Sequence, residues 1–589
     1  MKNINTLVFS LMLAVLSMAA NAQNRQNGRS RIADTIPFIS STLNNNKLDS
    51  PGTNPHGKME VYDIVVYGGT CAGVMAAVQA TRMGKTVALI EPGLHLGGLT
   101  SGGLGFVDVG NPKTIGGLAR EYFHRVWKHY QDTAAWTWEK KHEISGQHAP
   151  LAPEDQTMWI VEPSIAERLF NEMATEANVM VVRNEWLNRG SGVIKDGKKI
   201  VSIAMESGRV FQARMFIDAT YEGDLMAASG VSYFVGREPN SRYNETHNGI
   251  TPMPKPGLLP DIDPYQIKGD PKSGLLPRIH PDSGGEIGEG DSGVQTYNYR
   301  MCLTQIPENR VPVGKPADYD EKQYEIVFRF IEAGGLEDGY LKGSPDGPLK
   351  TSHIPNGKTD TNNNGYISTD YVGMSWEYPE ADYATRDRIA KAHELRQRGL
   401  IWTLQHHPRI PEKVRQIYAP WGLAKDEFTD NGHWPFQLYI REARRMIADC
   451  VITENTALGK ESAPDPVGIG SYPIDSHAIK YFVSPSGFLT RDGGMMVGIP
   501  APYGISYRAI IPKRGECENL LVPICASATH AAYGSMRMEP VFMVLGQSAA
   551  TAASLAIDRN IVLQNVTYNE LRERLIADSQ IVDWKPKNF

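Results

Sequence analysis

Cysteine is scarce. The 589-residue chain holds five, Cys71, Cys302, Cys450, Cys517 and Cys525. So low and odd a number excludes a disulfide framework as the source of stability. Cys517 and Cys525 could pair, but they read better as small apolar residues around a strand. Basic residues are not in excess either. The formal net charge of -6 argues against a nucleic-acid surface, because phosphate binding needs a basic face. Beyond the N-terminus no apolar run is long enough to span a bilayer, and internal repeats and low-complexity tracts are missing. Hydrophobic content of 41% and charged content of 21% are those of a soluble globular protein. A chain of 589 residues calls for two or more domains.

The first residues, "MKNINTLVFSLMLAVLSMAANAQ", set a lysine before a short apolar run and end on Ala20-Asn21-Ala22. This predicts a secretory signal over 1–22. No cysteine follows the run and no twin arginine precedes it, so lipid attachment is not expected and the chain crosses unfolded. The alternative is a membrane anchor, for which the run is short. The mature protein is thus expected to be exported, most simply to the periplasm, without membrane insertion. Residues 23–58, rich in Asn, Ser, Arg and Pro, read as a flexible leader.

"DIVVYGGTCAGVMAAVQATRMGKTVALIE", Asp63 to Glu91, reads as strand, glycine turn, helix, strand and acid. Gly68 makes the tight turn, and Gly73 lets helix and strand pack closely. The middle glycine of the expected G-x-G-x-x-G is replaced by Thr70, with Gly69 beside it and Ala72 following. The helix after the turn aims free N–H groups at a pyrophosphate. Glu91 ends the second strand at about the 20-residue spacing at which an acid meets a ribose hydroxyl. The plain alternative is a βαβ unit without a ligand. "PGLHLGGLTSGGLG" then follows at once, running from Pro92 through Gly97, Gly98, Leu99, Thr100 and Ser101. A second glycine-rich stretch is superfluous for a nicotinamide cofactor. FAD requires one, because its diphosphate and ribityl chain continue past the first loop.

Further on, Pro163 opens a helix ending near Asn178, "VMVVR" is a strand, and 200–219 supplies two hairpin-linked strands and a third over Met215–Ala219. Residues 235–300 lose their hydrophobic runs to Pro, Gly, Asp and Ser. Helical patterns return at 320–334, 384–406 and 437–456. "NLLVPI" is a strand, followed by a loop and a long small-residue helix from Pro540. The expected organisation is α/β: a Rossmann-like FAD-binding domain, glutathione-reductase-like with a β-meander, plus an inserted mixed α+β substrate or cap domain. The FAD-binding parts span 60–234 and 480–560, the cap 235–479, and a C-terminal helix and tail 561–589.

The stretches "GGTCAG", "HLGGLTSGGLG", "FIDATYEGDL", "KTDTNNNGYISTDYVG", "YIREARRMIAD" and "RMEPVFMVLGQSAATAA" resemble the exported bacterial FAD-dependent oxidoreductases, in the family's order over most of 60–560. That family is distantly similar to the succinate dehydrogenase and fumarate reductase flavoproteins. The resemblance implies that Ala219, Thr220, Gly223 and Asp224 turn over the cofactor. It implies too that the helix from Pro540, preceded by Arg537, points its positive end at the flavin pyrimidine. Some members carry a polysaccharide-lyase label.

Flavin oxidation of an alcohol or amine needs a base for the departing proton, and histidine suits neutral pH. His530, in the loop before the Pro540 helix, is the first candidate, followed by His433 and His353. Arg441, Arg300 and Arg537 are candidates for holding an oxygen-rich substrate. Arg441, Arg444 and Arg445 are read on a helix with Glu442 as acidic partner, where an ordinary ion pair is the plainer role. His95 lies where related dehydrogenases link a flavin covalently, but the spacing differs, so non-covalent FAD is expected. "DTNNNG", Asp360 to Gly365, matches half of a calcium loop. Its twelfth position is Tyr371 rather than Glu, so an asparagine-rich turn is the reading and no metal is expected.

The leading function is an exported FAD oxidoreductase moving hydride from a small polar substrate, with a sugar derivative the first guess, to flavin N5. The alternatives are a lyase or hydrolase using flavin transiently or not at all, and a non-catalytic electron-transfer or binding flavoprotein. The sequence names neither the substrate nor the electron acceptor.

Overall fold

The computed structural model describes residues 60–144, 155–252, 260–337, 339–341, 347–365 and 368–584. The expected signal (1–22) and leader (23–58) lie outside the described residues. The apolar, β-branched run Glu60–Tyr67 (β1) is the middle of a seven-stranded sheet. Cys71–Arg82 (α1) follows the glycine turn and leads to Val87–Glu91 (β2), which lies parallel to β1. Pro163–Glu176 (α2), with proline in its first turn, connects to Met180–Arg183 (β3), parallel to β2. Val193–Asp196 (β4) and Lys199–Ala204 (β5) form the antiparallel meander, and Val210–Asp218 (β6) runs back beside β1. The order across the sheet is β3-β2-β1-β6-β5-β4.

The two strands expected between 206 and 219 are one, β6. Its first half alternates between covered and partly covered positions, and its last four residues are buried outright. A strand that starts at the meander edge and ends in the sheet's centre shows both patterns, and the change in pattern resembles a break.

Asp224–Ala228 (α3) follows β6. The 235–300 region is dominated by loops, as its composition predicts. A second, five-stranded antiparallel sheet holds Met301–Thr304 (β7), Arg310–Val311 (β8), Leu349–Ile354 (β9), Lys358–Asn363 (β10) and Gly422–Ala424 (β11), in the order β8-β11-β7-β10-β9. Glu325–Glu332 (α4) and Tyr383–His406 (α5) supply the expected helices, α4 after a 3-10 turn at 321–324.

The chain then returns to the first sheet. Ile474–Ser476 (β12) packs on His530–Met536 (α6), and Leu520–Leu521 (β13) pairs in parallel with β6, Leu520 opposite Phe216. Glu539–Arg559 (α7) crosses α1, and Tyr568–Ala577 (α8) follows. α7 is long and apolar enough to cross a membrane by composition, yet 94% of that window is buried inside the protein. It is a core helix. A Cβ on Gly546 would lie 2.2 Å from the Ala72 carbonyl oxygen, so glycine at 546 sets how closely α7 meets α1.

Two further expectations fail. Residues 437–456 form no helix apart from a single turn at Glu454–Ala457, and Arg445–Met446 is a short strand. "YIREARRM" looks helical, but Arg441, Glu442, Arg444 and Arg445 are each buried against a different distant partner. Those tertiary bonds override helix propensity. "DTNNNG" is not a turn but largely strand β10, because Asp360 is buried and accepts both Nε and Nη2 of Arg300 at 2.7 and 2.6 Å.

Candidate functional site

A cleft of about 450 Å³ opens over the C-terminal ends of β1, β2 and β6. Gly68, Thr70, Glu91, Pro92, Gly98, Thr220 and Asp224 line one wall, while Tyr299, Tyr383, Arg386 and Phe436 line the other. Its position, at the carboxyl ends of parallel strands, is where such sheets bind nucleotides.

The first turn is held by short bonds. Gly68 has a positive φ of 104°, and a Cβ on Gly73 would fall 1.8 Å from the Gly68 carbonyl oxygen. Only glycine fits at 73. Thr70 caps α1: its hydroxyl accepts from the Gly73 N–H at 3.3 Å and donates to the Ala219 carbonyl at 2.8 Å. Glu91 accepts from the N–H groups of Gly69 and Gly93, both at 2.6 Å. Burial pushes its carboxyl up to about 7 against the lowering effect of those two bonds.

The second glycine-rich stretch is tied to the first, Gly97 N–H donating to the Gly69 carbonyl at 2.8 Å. Ser101 Oγ donates to the Leu96 carbonyl at 2.6 Å. Leu99 N–H donates to Tyr221 Oη at 2.8 Å, and that hydroxyl donates to Glu539 Oε1 at 2.9 Å. Thr100 Oγ1 donates to Glu539 Oε2 at 2.6 Å. Glu539 precedes Pro540 in the first turn of α7 and its carbonyl accepts from Cys71 Sγ at 3.5 Å, so the helix start is knotted to both glycine stretches. Sequence reasoning missed Glu539 and Tyr221; an acid beside proline at a helix start, and a tyrosine inside "DATYEGD", were the available signals.

Beyond β6, Asp218 anchors the next turn through Thr220 and the Met226 N–H, and burial pushes its carboxyl up to about 6. Gly223 takes the left-handed conformation at the head of α3. The Asp224 carboxylate is shared by the guanidinium groups of Arg189, Arg386 and Arg444.

Three arginines from distant parts of the chain, Arg300, Arg441 and Arg537, converge on one ring. Their guanidinium carbons lie 5.6, 4.5 and 5.8 Å from the centroid of Tyr439. Each faces a carboxylate: Asp360 for Arg300, Asp370 for Arg441 and Asp475 for Arg537. Each also keeps one enclosed N–H without an acceptor, Nη1 of Arg300 and Nε of the other two. The cluster abuts the second glycine stretch, since a Cβ on Gly103 would lie 2.0 Å from the Arg300 carbonyl oxygen. His477, absent from the sequence candidates, sits between Asp370 and Asp475 at 3.4 and 3.5 Å.

His530 is the first residue of α6 rather than part of a loop, with Thr529 as the cap. It is 1% exposed; Nδ1 faces Glu442 Oε2 at 2.7 Å and Nε2 faces Ser476 Oγ at 3.1 Å. His433 bonds to the Glu427 carbonyl, and His353 pairs with Glu139. His95 lines the cleft, stacks on Phe436 at 4.0 Å and pairs with Glu167, whose hydrogen bond raises its pKa.

A parallel sheet with a glycine turn, an acid closing the second strand and a second glycine stretch knotted to a returning helix defines an FAD-binding Rossmann-like enzyme. The chain belongs to the FAD dependent oxidoreductase family, whose model matches residues 63–575; its cofactor is FAD. No curated protein matches. Among solved structures, L-proline dehydrogenase from P. horikoshii is 16% identical, covering 31% of this chain and 59% of its own, with a TM-score of 0.22. Thioredoxin reductase from T. acidophilum is 16% identical over 31% and 40%, with a TM-score of 0.17. A 3-ketosteroid-delta4-(5alpha)-dehydrogenase from Rhodococcus jostii is 16% identical over 29% and 48%, at 0.17. The chain thus spans less than two thirds of the length of these proteins, and overlaps this partial carry nothing about substrate.

The residues present fit FAD. The Gly68–Gly73 turn and Glu91 would hold the ADP half, and the 97–101 stretch with the start of α7 the flavin half. The chemistry FAD supplies when bound is two-electron hydride acceptance.

Proposed function

We propose that this enzyme is exported and oxidises a small, hydroxyl-bearing substrate, a sugar derivative being the first class to try. The observation that carries this reading is the convergence of Arg300, Arg441 and Arg537 on Tyr439 beside the second glycine stretch. Three rigid forks of donors around an aromatic face suit a ligand rich in oxygen acceptors. Each guanidinium is already balanced by a carboxylate. The cluster therefore offers hydrogen bonds rather than surplus positive charge, which favours uncharged hydroxyl groups over carboxylates.

For the proton, His530 remains the proposed acceptor, acting through Ser476. Glu442 on Nδ1 holds the imidazole with Nε2 open toward the Ser476 hydroxyl. Substrate hydroxyl, Ser476 and His530 would then form a relay, and Glu442 would stabilise the imidazolium that results. Glu442, His530 and Ser476 stand in the order of a hydrolase triad, and the bleaching experiment separates that role from the relay.

The test is an anaerobic screen of flavin bleaching over sugars, polyols, hydroxy acids and amines. Bleaching by a neutral polyol supports the reading. Product formation without bleaching would sink it in favour of a lyase or hydrolase, and binding without turnover in favour of a non-catalytic flavoprotein.

A further inference from the structure

Arg278 and Arg396 stand apart from both the cleft and the Tyr439 cluster. Arg396 comes from the middle of α5, and Arg278 from the turn before the two-residue strand Ile279–His280. Arg396 stacks 4.3 Å over the Tyr324 ring and Arg278 4.7 Å over the Tyr371 ring. The Arg396 guanidinium interacts with the Tyr324 hydroxyl, while its Nε and Nη1 are enclosed without an acceptor among the described residues. Arg278, which is half-buried, donates from Nη2 to the Gln323 carbonyl at 3.3 Å, and its Nε is enclosed without an acceptor among the described residues.

Elsewhere the protein compensates its buried arginines. Arg237, Arg300, Arg386, Arg441, Arg444 and Arg445 each face a carboxylate. Among the described residues no carboxylate pairs with Arg278 or Arg396. Asp370, which acts on Tyr481 together with Arg278 and Arg396, is held by Arg441 and His477. His393, pushed down to about 4 by burial, brings no charge at neutral pH. Tyr324, Tyr371 and Tyr481 supply hydroxyls and ring faces, and Arg491, which donates to the Gly365 carbonyl at 3.0 Å, adds a further cation on the Tyr481 side. Burial pushes the Arg278 guanidinium down from its ordinary range, and Arg396 adds to that push. Buried charges are normally paired because desolvation is costly.

A second observation concerns the backbone. Arg278 has a φ of 68°. A long side chain in the left-handed region is strained, and such strain collects where a ligand is clamped.

We propose that Arg278 and Arg396 form a binding site for an oxyanion, which supplies the missing acceptors and counter-charge. Two positive charges without a carboxylate partner among the described residues favour a dianion, sulfate or phosphate, over a single carboxylate. The planar forks match either tetrahedral group. The site does not depend on the flavin reading.

The experiment uses the full-length, FAD-loaded protein. Its melting temperature is followed against sodium sulfate, sodium phosphate, sodium acetate and sodium chloride at matched ionic strength. Sulfate or phosphate should give a saturable rise that chloride does not, and the two titrations show which is preferred. Arg396→Gln should raise the half-saturating concentration about tenfold or more, the loss of a charge-assisted hydrogen bond. Arg278→Gly should abolish the response while leaving the protein at least as stable as the parent in anion-free buffer, because glycine relieves the φ. Bound FAD absorbance verifies that both variants are folded. An equal rise with chloride, a preference for acetate, variants that respond like the parent, or an Arg278→Gly protein less stable without anion would each overturn the proposal.

Discussion

The Thr70 hydroxyl donates to the carbonyl of Ala219 at 2.8 Å, joining the cap of α1 to the end of β6. The same oxygen accepts the Gly73 N–H. A glycine at 70, as the commoner motif has, would do neither. Thr70→Ala should cost about 1–2 kcal/mol, a cap plus one buried hydrogen bond. Urea unfolding of the FAD-free protein measures it, and an unchanged midpoint would show the two bonds to be idle.

Gly546→Ala should be worse tolerated than its small size suggests. The added methyl meets the Ala72 backbone at 2.2 Å, so α7 and α1 must separate. Overpacking of this kind costs about 1–3 kcal/mol. Because Ala72 belongs to the cofactor turn, FAD retained after dialysis should fall as well. Full FAD content with a normal melting temperature would contradict the close crossing.

His530→Ala should slow flavin reduction on the order of 100- to 10,000-fold, the usual loss for a positioned base, while the protein stays yellow. Ser476→Ala should slow the same step if the relay holds. If Ser476→Ala is silent and His530→Ala is not, the proton reaches the imidazole by another route.

The pH dependence has a definite sign. Burial raises Glu91 and Glu245 to about 7 and Asp218 to about 6, from ordinary values of 4.5, 4.5 and 3.8. Between those limits the folded protein binds more protons than the unfolded chain, so stability falls as pH rises from about 4.5 to 7. His393, pushed down to about 4 by burial, opposes this below its ordinary 6.5, as do His129 and His280, which burial also lowers; Glu427, raised to about 7 by burial, adds to the carboxylates. Glu454 and Asp475, held at about 2 by their partners in spite of burial, matter only at lower pH. The FAD-free protein should therefore melt higher at pH 5.5 than at pH 7.5, and Glu91→Gln should flatten the slope. A rise in melting temperature with pH over that interval would refute the assignment.

What the sequence revealed follows the range of the interactions. Gly68, Gly73 and Glu91 sit in one βαβ unit, where turn geometry and strand length are local, and the cofactor was readable from them. The Pro540 helix was readable from its proline and small residues. Residues 437–446 were misread because their burial is decided by Asp370, His530, Asp224 and Glu238, which no local pattern reveals. Asp360 was misread for the same reason: its partner, Arg300, lies just before the neighbouring strand β7, far away in sequence. Tyr439 was invisible as the meeting point of three arginines until the chain was folded.

β13 has a consequence for how the protein comes to exist. Leu520 and Leu521 fill the sheet position beside β6, and α7 covers α1. The nucleotide unit therefore begins at residue 60 and stays incomplete until nearly the whole chain has been synthesised. Pairings so distant in sequence form slowly and leave unpaired strand edges exposed meanwhile. A chain that stopped before residue 520 would leave the last part of β6 unpaired on one side, with no α7 over α1. Such a fragment would be exposed to proteases and aggregation, lacking both the strand beside the end of β6 and the helix that packs on the cofactor turn.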